Sequence, residues 1–172
     1  MHIKDRLDFL IERWGDARPG LDTSPWAVCG RLTLINELFM ARVGQLLKRH
    51  RLTFNEYQSL AAIYLSGPPY ESSPNQIAHH NLLTSGGMTN LLNKMEAADL
   101  ISRRPAEQDR RGVVVSLTAE GRERLDAALI DENGFEHEWI SSLTAQEAEI
   151  LSILLRKLLV SIESLPDRTE NV

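Results

Sequence analysis

A mainly α-helical fold with one small β hairpin is what this sequence predicts, and three observations carry it. Apolar residues recur at helical spacing in several segments set apart by caps and breakers. Between Thr84 and Gly112 the chain reads as a helix, a short strand and a polar tip, and a second short strand follows. Both ends carry apolar stripes wider than a small domain needs. Together these predict a winged helix-turn-helix with a two-stranded β wing and N- and C-terminal dimerisation helices.

In chain order, Ile3, Leu7, Leu10, Ile11 and Trp14 mark one face of a first amphipathic helix. Arg18-Pro19-Gly20 breaks it, and Ser24 with Pro25 opens a second helix to about Lys48. Val28, Leu32, Ile35, Leu38, Phe39, Val43 and Leu46 are expected inside. Thr53 and Glu56 form a capping box for a third helix, which Gly67-Pro68-Pro69 ends. Ser73, Pro74 and Gln76 open a short fourth helix ending near His80. Asn81-Leu82-Leu83 is the turn into a helix capped by Thr84. Met88, Leu91, Leu92 and Met95 give that helix an apolar face, and Ser85, Gly86, Thr89, Asn90 and Lys94 a short polar one. A face of that kind suits base edges and phosphates. Strands follow at 100–104 and 113–117. Thr118 caps the next helix, with Asn133-Gly134 expected to interrupt or kink it. Thr144 and Glu147 box the last helix, where Ile150, Leu151, Leu154, Leu155, Leu158 and Ile162 form a stripe.

Three regions result. Residues 1–50 hold N-terminal helices for dimerisation and, by the resemblance that their Trp14–Asp22 segment carries, a ligand pocket. Residues 51–118 form the winged DNA-binding domain, and residues 119–172 form C-terminal dimerisation helices. The 172 residues suffice for a core. No apolar run approaches a membrane span, and the charged start is not a secretory signal, so no membrane is expected. One cysteine fits a reducing cytoplasm. The net charge of −5 is concentrated late: residues 1–50 carry 8 basic and 6 acidic groups, residues 121–172 carry 5 and 11. The DNA face is therefore near neutral, with arginines clustered at the wing, and geometry and dimerisation must supply much of the binding.

Leu100-Ile101, Arg103-Arg104, the Asp109-Arg110-Arg111-Gly112 tip and Val115-Ser116-Leu117-Thr118 resemble the MarR family of transcription regulators, over about residues 31–159. That resemblance implies a homodimer on double-stranded DNA, reading a pseudo-palindrome with half-sites about 10 base pairs apart. It implies that Arg110 and Arg111 meet the minor groove and phosphate, while Asp109 holds Arg111 in pose. Arg104 joins them from the first wing strand. Gly86-Gly87 suits close approach of backbone to DNA.

The segment Trp14–Asp22 (WGDARPGLD) with Ser24-Pro25 is similar to the family's urate-responsive branch. In that branch a Trp, an Asp, and two Arg hold urate. Trp14 and Arg103 match; Gln58 and Leu91 stand where charged anchors would be. A dense hydrogen-bonding anion lacking those partners binds poorly. A small aromatic acid is expected instead, stacked by Trp14, Trp26 and Tyr57 and held by Arg31 or Arg103, and it releases the DNA of a repressor. The alternatives are a helical interaction module without DNA, or a urate- or redox-responsive regulator.

Other chemistry finds no support. Cys29 in WAVCGRL is expected to be a buried, inert hydrophobe. His79 and His80 diverge on a helix, and no metal-ligand spacing is recognisable. No phosphate loop, nucleophile elbow or other catalytic motif occurs, and no cofactor is implied.

Overall fold

The computed structural model describes residues 4–81, 85–106 and 112–165, with the backbone alone described at His80 and Ser85. The Thr84 cap, the Leu82-Leu83 turn and the tip residues Asp109, Arg110 and Arg111 lie outside the described residues. The chain forms two compact units that meet in sequence at Leu129 and Ile130.

The first unit opens with α1 (Arg6–Ala17) and α2 (Trp26–Arg49). Asp5 and Asp8 form a reciprocal capping box at the start of α1, which satisfies otherwise orphan N–H groups. Leu7 is buried against a notch at Gly30, where an added Cβ would stand 2.8 Å from Leu7 Cδ2. Ser24 does not cap α2 with its side chain. Its N–H is instead taken by Asp22 Oδ1 at 2.9 Å, and its carbonyl accepts from Ala27. Local Asx-turn chemistry wins over the expected cap.

The expected interior of α2 divides in two. Val43, Leu46 and Leu47 are buried, but Val28, Ile35 and Leu38 are more than half exposed. Cys29 is exposed as well, against expectation. These residues lie between positions 28 and 38, and the core lies against the last two turns of α2, from Val43 on. Asn133-Gly134 does not interrupt its helix either: α6 (Ala119–Ile140) runs continuously through it. One mid-helix glycine costs about 1 kcal/mol, which continuous flanking turns outweigh.

The core of the first unit comes from α3 (Phe54–Leu65), α4 (Pro74–Asn81), α5 (Ser85–Ala97) and the sheet. Leu60, Ile63, Ile77, Met95, Leu100, Ile101 and Val115 are fully buried there, joined by Val43 and Leu47 of α2 and by Leu125 from the start of the helix after the sheet. The capping boxes of α3 and α4 form as expected, with Glu56 on Thr53 N at 2.7 Å and Gln76 on Ser73 N at 2.9 Å. At the end of α5, Asp99 adopts φ 57° and lets Leu100 N–H reach the Met95 carbonyl at 2.9 Å. That turn aims the chain into the wing.

The wing hairpin is β2 (Ile101–Pro105) with β3 (Val113–Leu117), antiparallel, Arg103 opposite Val115. The sheet has a third strand that the periodicity did not announce. The two residues of β1 (Glu71–Ser72) pair with β3, giving the order β1-β3-β2. A two-residue strand carries no alternation to detect. The second unit contains the rest of α6 and α7 (Ala145–Glu163), boxed by Thr144 and Glu147. Phe135 packs edge-on against Trp139 at 5.1 Å within it.

Candidate nucleic-acid interface

The helix α5 separates its faces cleanly. Met88, Leu92 and Met95 are buried, and Gly86, Thr89, Asn90 and Lys94 are exposed on the opposite side. The apolar residues hold the helix to the core, so the polar row is displayed on a fixed backbone. Ser85 begins the helix, with only its backbone described. Leu91 is half-buried.

Both arginines of β2 are held by carboxylates from outside the hairpin. Arg103 Nε donates to Glu96 Oε2 of α5 at 3.0 Å, and its Nη2 bonds the same oxygen. Those bonds, and then the charge of the guanidinium, hold the Glu96 carboxyl below its usual range. Arg104 Nη2 donates to Glu71 Oε2 of β1 at 2.9 Å, and Ser116 Oγ donates to Glu71 Oε1 at 3.1 Å. Sequence reasoning missed both Glu71 and Glu96. Glu96 stands seven residues before Arg103, and Glu71 stands 33 before Arg104, so neither spacing is a local motif.

The other candidate residues are split among three places. Trp14 and Trp26 meet edge-on at 6.1 Å where α1 lies along α2. Beside them Leu10, Arg13, Trp14 and Ala17 line a cleft of about 320 Å³. Arg31 sits at the other end of the same junction, with Nε on Asp5 at 2.9 Å, Nη2 on Asp8 at 2.7 Å and Nη1 on the Ala27 carbonyl at 2.9 Å. Tyr57 is buried in α3 with Gln58 half-buried beside it in sequence, and Arg103 belongs to the wing. Arg13 is the cleft residue that the sequence reading passed over, since a charge on an exposed helix face carries no signal. Among the described residues, no group of three or more His, Cys, Asp or Glu could hold a metal ion, and no helix is long and apolar enough to cross a membrane.

The α1 clamp should respond to acid. Hydrogen bonds from the Asp5 backbone and then from Arg31 hold the Asp8 carboxyl below its ordinary 3.8. Its folded value lies under its unfolded one, so the clamp is complete above pH 3.8 and is lost as pH falls through the lower folded value. Tryptophan emission in an acid titration should therefore show a step below pH 3.8, reduced in Asp8→Asn. An identical titration of that variant would rule the clamp out as its source.

Residues 51–112 match a family model described as MarR family. The uncharacterized HTH-type transcriptional regulator YkoM of Bacillus subtilis (strain 168) is 31% identical over 115 residues, 64% of this chain and 70% of that one. This chain belongs to the MarR family. It is a DNA-binding transcription regulator and not an enzyme. The HTH-type transcriptional regulator PecS of Dickeya dadantii (strain 3937) is 29% identical over 146 residues, 85% of this chain and 88% of that one. The S. aureus MepR–DNA complex has the same fold at TM-score 0.68 and 24% identity, covering 78% of this chain and 97% of that one.

Proposed function

We propose that this MarR-family chain is a ligand-responsive repressor that binds a pseudo-palindromic operator as a homodimer and is released by a small aromatic acid. The observation that carries the DNA reading is α5, whose buried Met88-Leu92-Met95 face fixes an exposed Gly86, Thr89, Asn90 and Lys94 row. One such row enters each major groove, with Ser85 at its start, and Arg104 and the tip residues Asp109, Arg110 and Arg111 reach the flanking backbone and minor groove. Residues 51–118 do the binding, and residues 1–50 and 119–172 join two copies.

The effector reading is supported by the cleft that Leu10, Arg13, Trp14 and Ala17 line, where Trp14, set edge-on to Trp26, offers a flat ring one aromatic wall. Trp14, Trp26, Arg31, Tyr57, Gln58 and Arg103 remain the proposed ligand set. Arg31 and Arg103 both bear carboxylates already. An acid ligand at either one competes with Asp5 and Asp8, or with Glu96, and so pulls on α1 or on the wing. That competition is how binding changes the protein, since a ligand must favour one state to shift it.

The test is a mobility shift on the DNA upstream of the chain's own gene, with benzoate, phenylacetate, indole-carboxylate and urate added in turn. One duplex should compete better than random sequence, and an aromatic acid should release it at concentrations where urate does not. The same acid should raise the melting temperature of the free protein. No preferred duplex would refute operator binding, and release by urate alone would refute the aromatic-acid reading.

A further inference from the structure

We propose that Glu71 is a positioning residue for DNA binding, holding Arg104 stretched across the wing so that its guanidinium meets a phosphate. This rests on the reading that Arg104 contacts DNA. A carboxylate on a DNA-facing surface is unfavourable by charge alone, because it repels the phosphates. Its presence on β1 therefore needs a compensating role.

The geometry supplies one. In the order β1-β3-β2, Glu71 stands opposite Ser116, and Arg104 stands opposite Val114. Arg104 must cross β3 to reach β1, a span of two strand spacings or roughly 10 Å. Only an extended arginine meeting a glutamate reaching back closes that distance. Ser116, on the strand between them, donates to the other carboxylate oxygen at 3.1 Å and fixes its orientation. One carboxylate thus gathers a side chain from each of the other two strands.

The pair is built for position rather than for stability. The side chains of Arg104 and Glu71 are 46% and 28% exposed, and exposed pairs add little to folding. A guanidinium carries five donors in one plane, so it can hold a carboxylate on one edge and a phosphate on another. β1 also runs directly into α4 through Ser73, whose side chain and N–H engage Gln76. The bond from Glu71 to Arg104 therefore ties the wing to the start of the helix-turn-helix. The wing then moves with the recognition unit when α5 enters the groove.

The experiment is an anisotropy titration of the intact protein with a labelled operator duplex across a series of KCl concentrations. The variants are Glu71→Ala, Glu71→Gln, Arg104→Ala and the double Glu71→Ala/Arg104→Ala. Arg104→Ala should weaken binding about tenfold and lower the salt slope by about 1. Glu71→Ala should weaken binding and lower the slope in the same direction, although it removes a negative charge. Glu71→Gln, which keeps an acceptor for Arg104, should recover most of the affinity. The double variant should bind no worse than Arg104→Ala, because the two side chains act as one unit. Should Glu71→Ala not fold, Glu71→Thr, whose side chain is too short to reach Arg104, closes the same cycle with Glu71→Thr/Arg104→Ala. Equal or tighter binding by Glu71→Ala, or effects that multiply in the double variant, overturns the positioning role while Arg104 keeps its own. Unchanged binding by Arg104→Ala overturns the reading beneath it.

Discussion

Gly121→Ala should lower the melting temperature by about 6–12 °C at matched protein concentration, from a destabilisation of about 3 kcal/mol or more. The cause is a backbone contact. A Cβ at position 121 would stand 2.0 Å from the Leu100 carbonyl oxygen and 2.9 Å from its carbon. No rotamer relieves a Cβ, and a backbone carbonyl cannot step aside as a flexible side-chain end can. The contact lies where α6 starts against the entry to the wing. Thr118 N–H donates to Leu100 O at 3.3 Å, Thr118 Oγ1 bonds the Asp99 carbonyl, and Gly121 N–H donates to Thr118 Oγ1 at 3.0 Å. Making room for a methyl group breaks that seat. Gly134→Ala in the same helix is the control, since nothing lies within 4 Å of a Cβ there. It should stabilise by about 0.5–1 kcal/mol, the ordinary helix preference for alanine over glycine. Thermal unfolding by circular dichroism reads both. A Gly121→Ala protein that melts with the wild type would exclude the close approach.

Leu154→Asp should convert a dimer into a monomer and lower operator affinity by about 100-fold or more, the size of the lost effective concentration of a second half-site. The argument begins with exposure. Leu154 is 58% and Ile35 54% exposed, and Ile150, Ile153, Leu159 and Ile162 are also open. Within the second unit, the row of open apolar side chains on α7 is longer than a lone protein usually shows water, and α2 of the first unit carries an open apolar row of its own. If the chain worked alone, a charge at Leu154 would be nearly neutral, as exposed substitutions usually are. In a dimer the same charge is buried without a partner and association fails. Sedimentation should give twice 19.4 kDa for the wild type and 19.4 kDa for the variant. A variant of unchanged size, or a monomeric wild type, would end the dimer reading.

The helix starts at Thr53, Ser73, Thr118 and Thr144 were legible because a cap is a local event. It needs a hydroxyl at one position and N–H groups two or three residues on, all within a few residues of chain. The buried face of α5 was legible for the same reason, since Met88, Leu92 and Met95 recur with the helical period. The Asp109–Gly112 tip and its flanking strands pointed to the family through residues that stand together.

Tertiary contacts decided the rest. Arg31 looked available to hold a ligand, yet Asp5 and Asp8, more than 20 residues away in sequence, hold it. In sequence Arg104 groups with Arg110 and Arg111 as a wing contact with DNA, and only the pairing of β1 with β3 brings Glu71 to it. The apolar residues of α2 all scored alike by period, but the core reaches only Val43, Leu46 and Leu47. Periodicity reports that a face is apolar without saying what covers it. Gly121 is the sharpest case. As a letter it reads as a weak helix former, and the Leu100 carbonyl 2.0 Å from its missing Cβ makes it the residue that seats α6 on the wing.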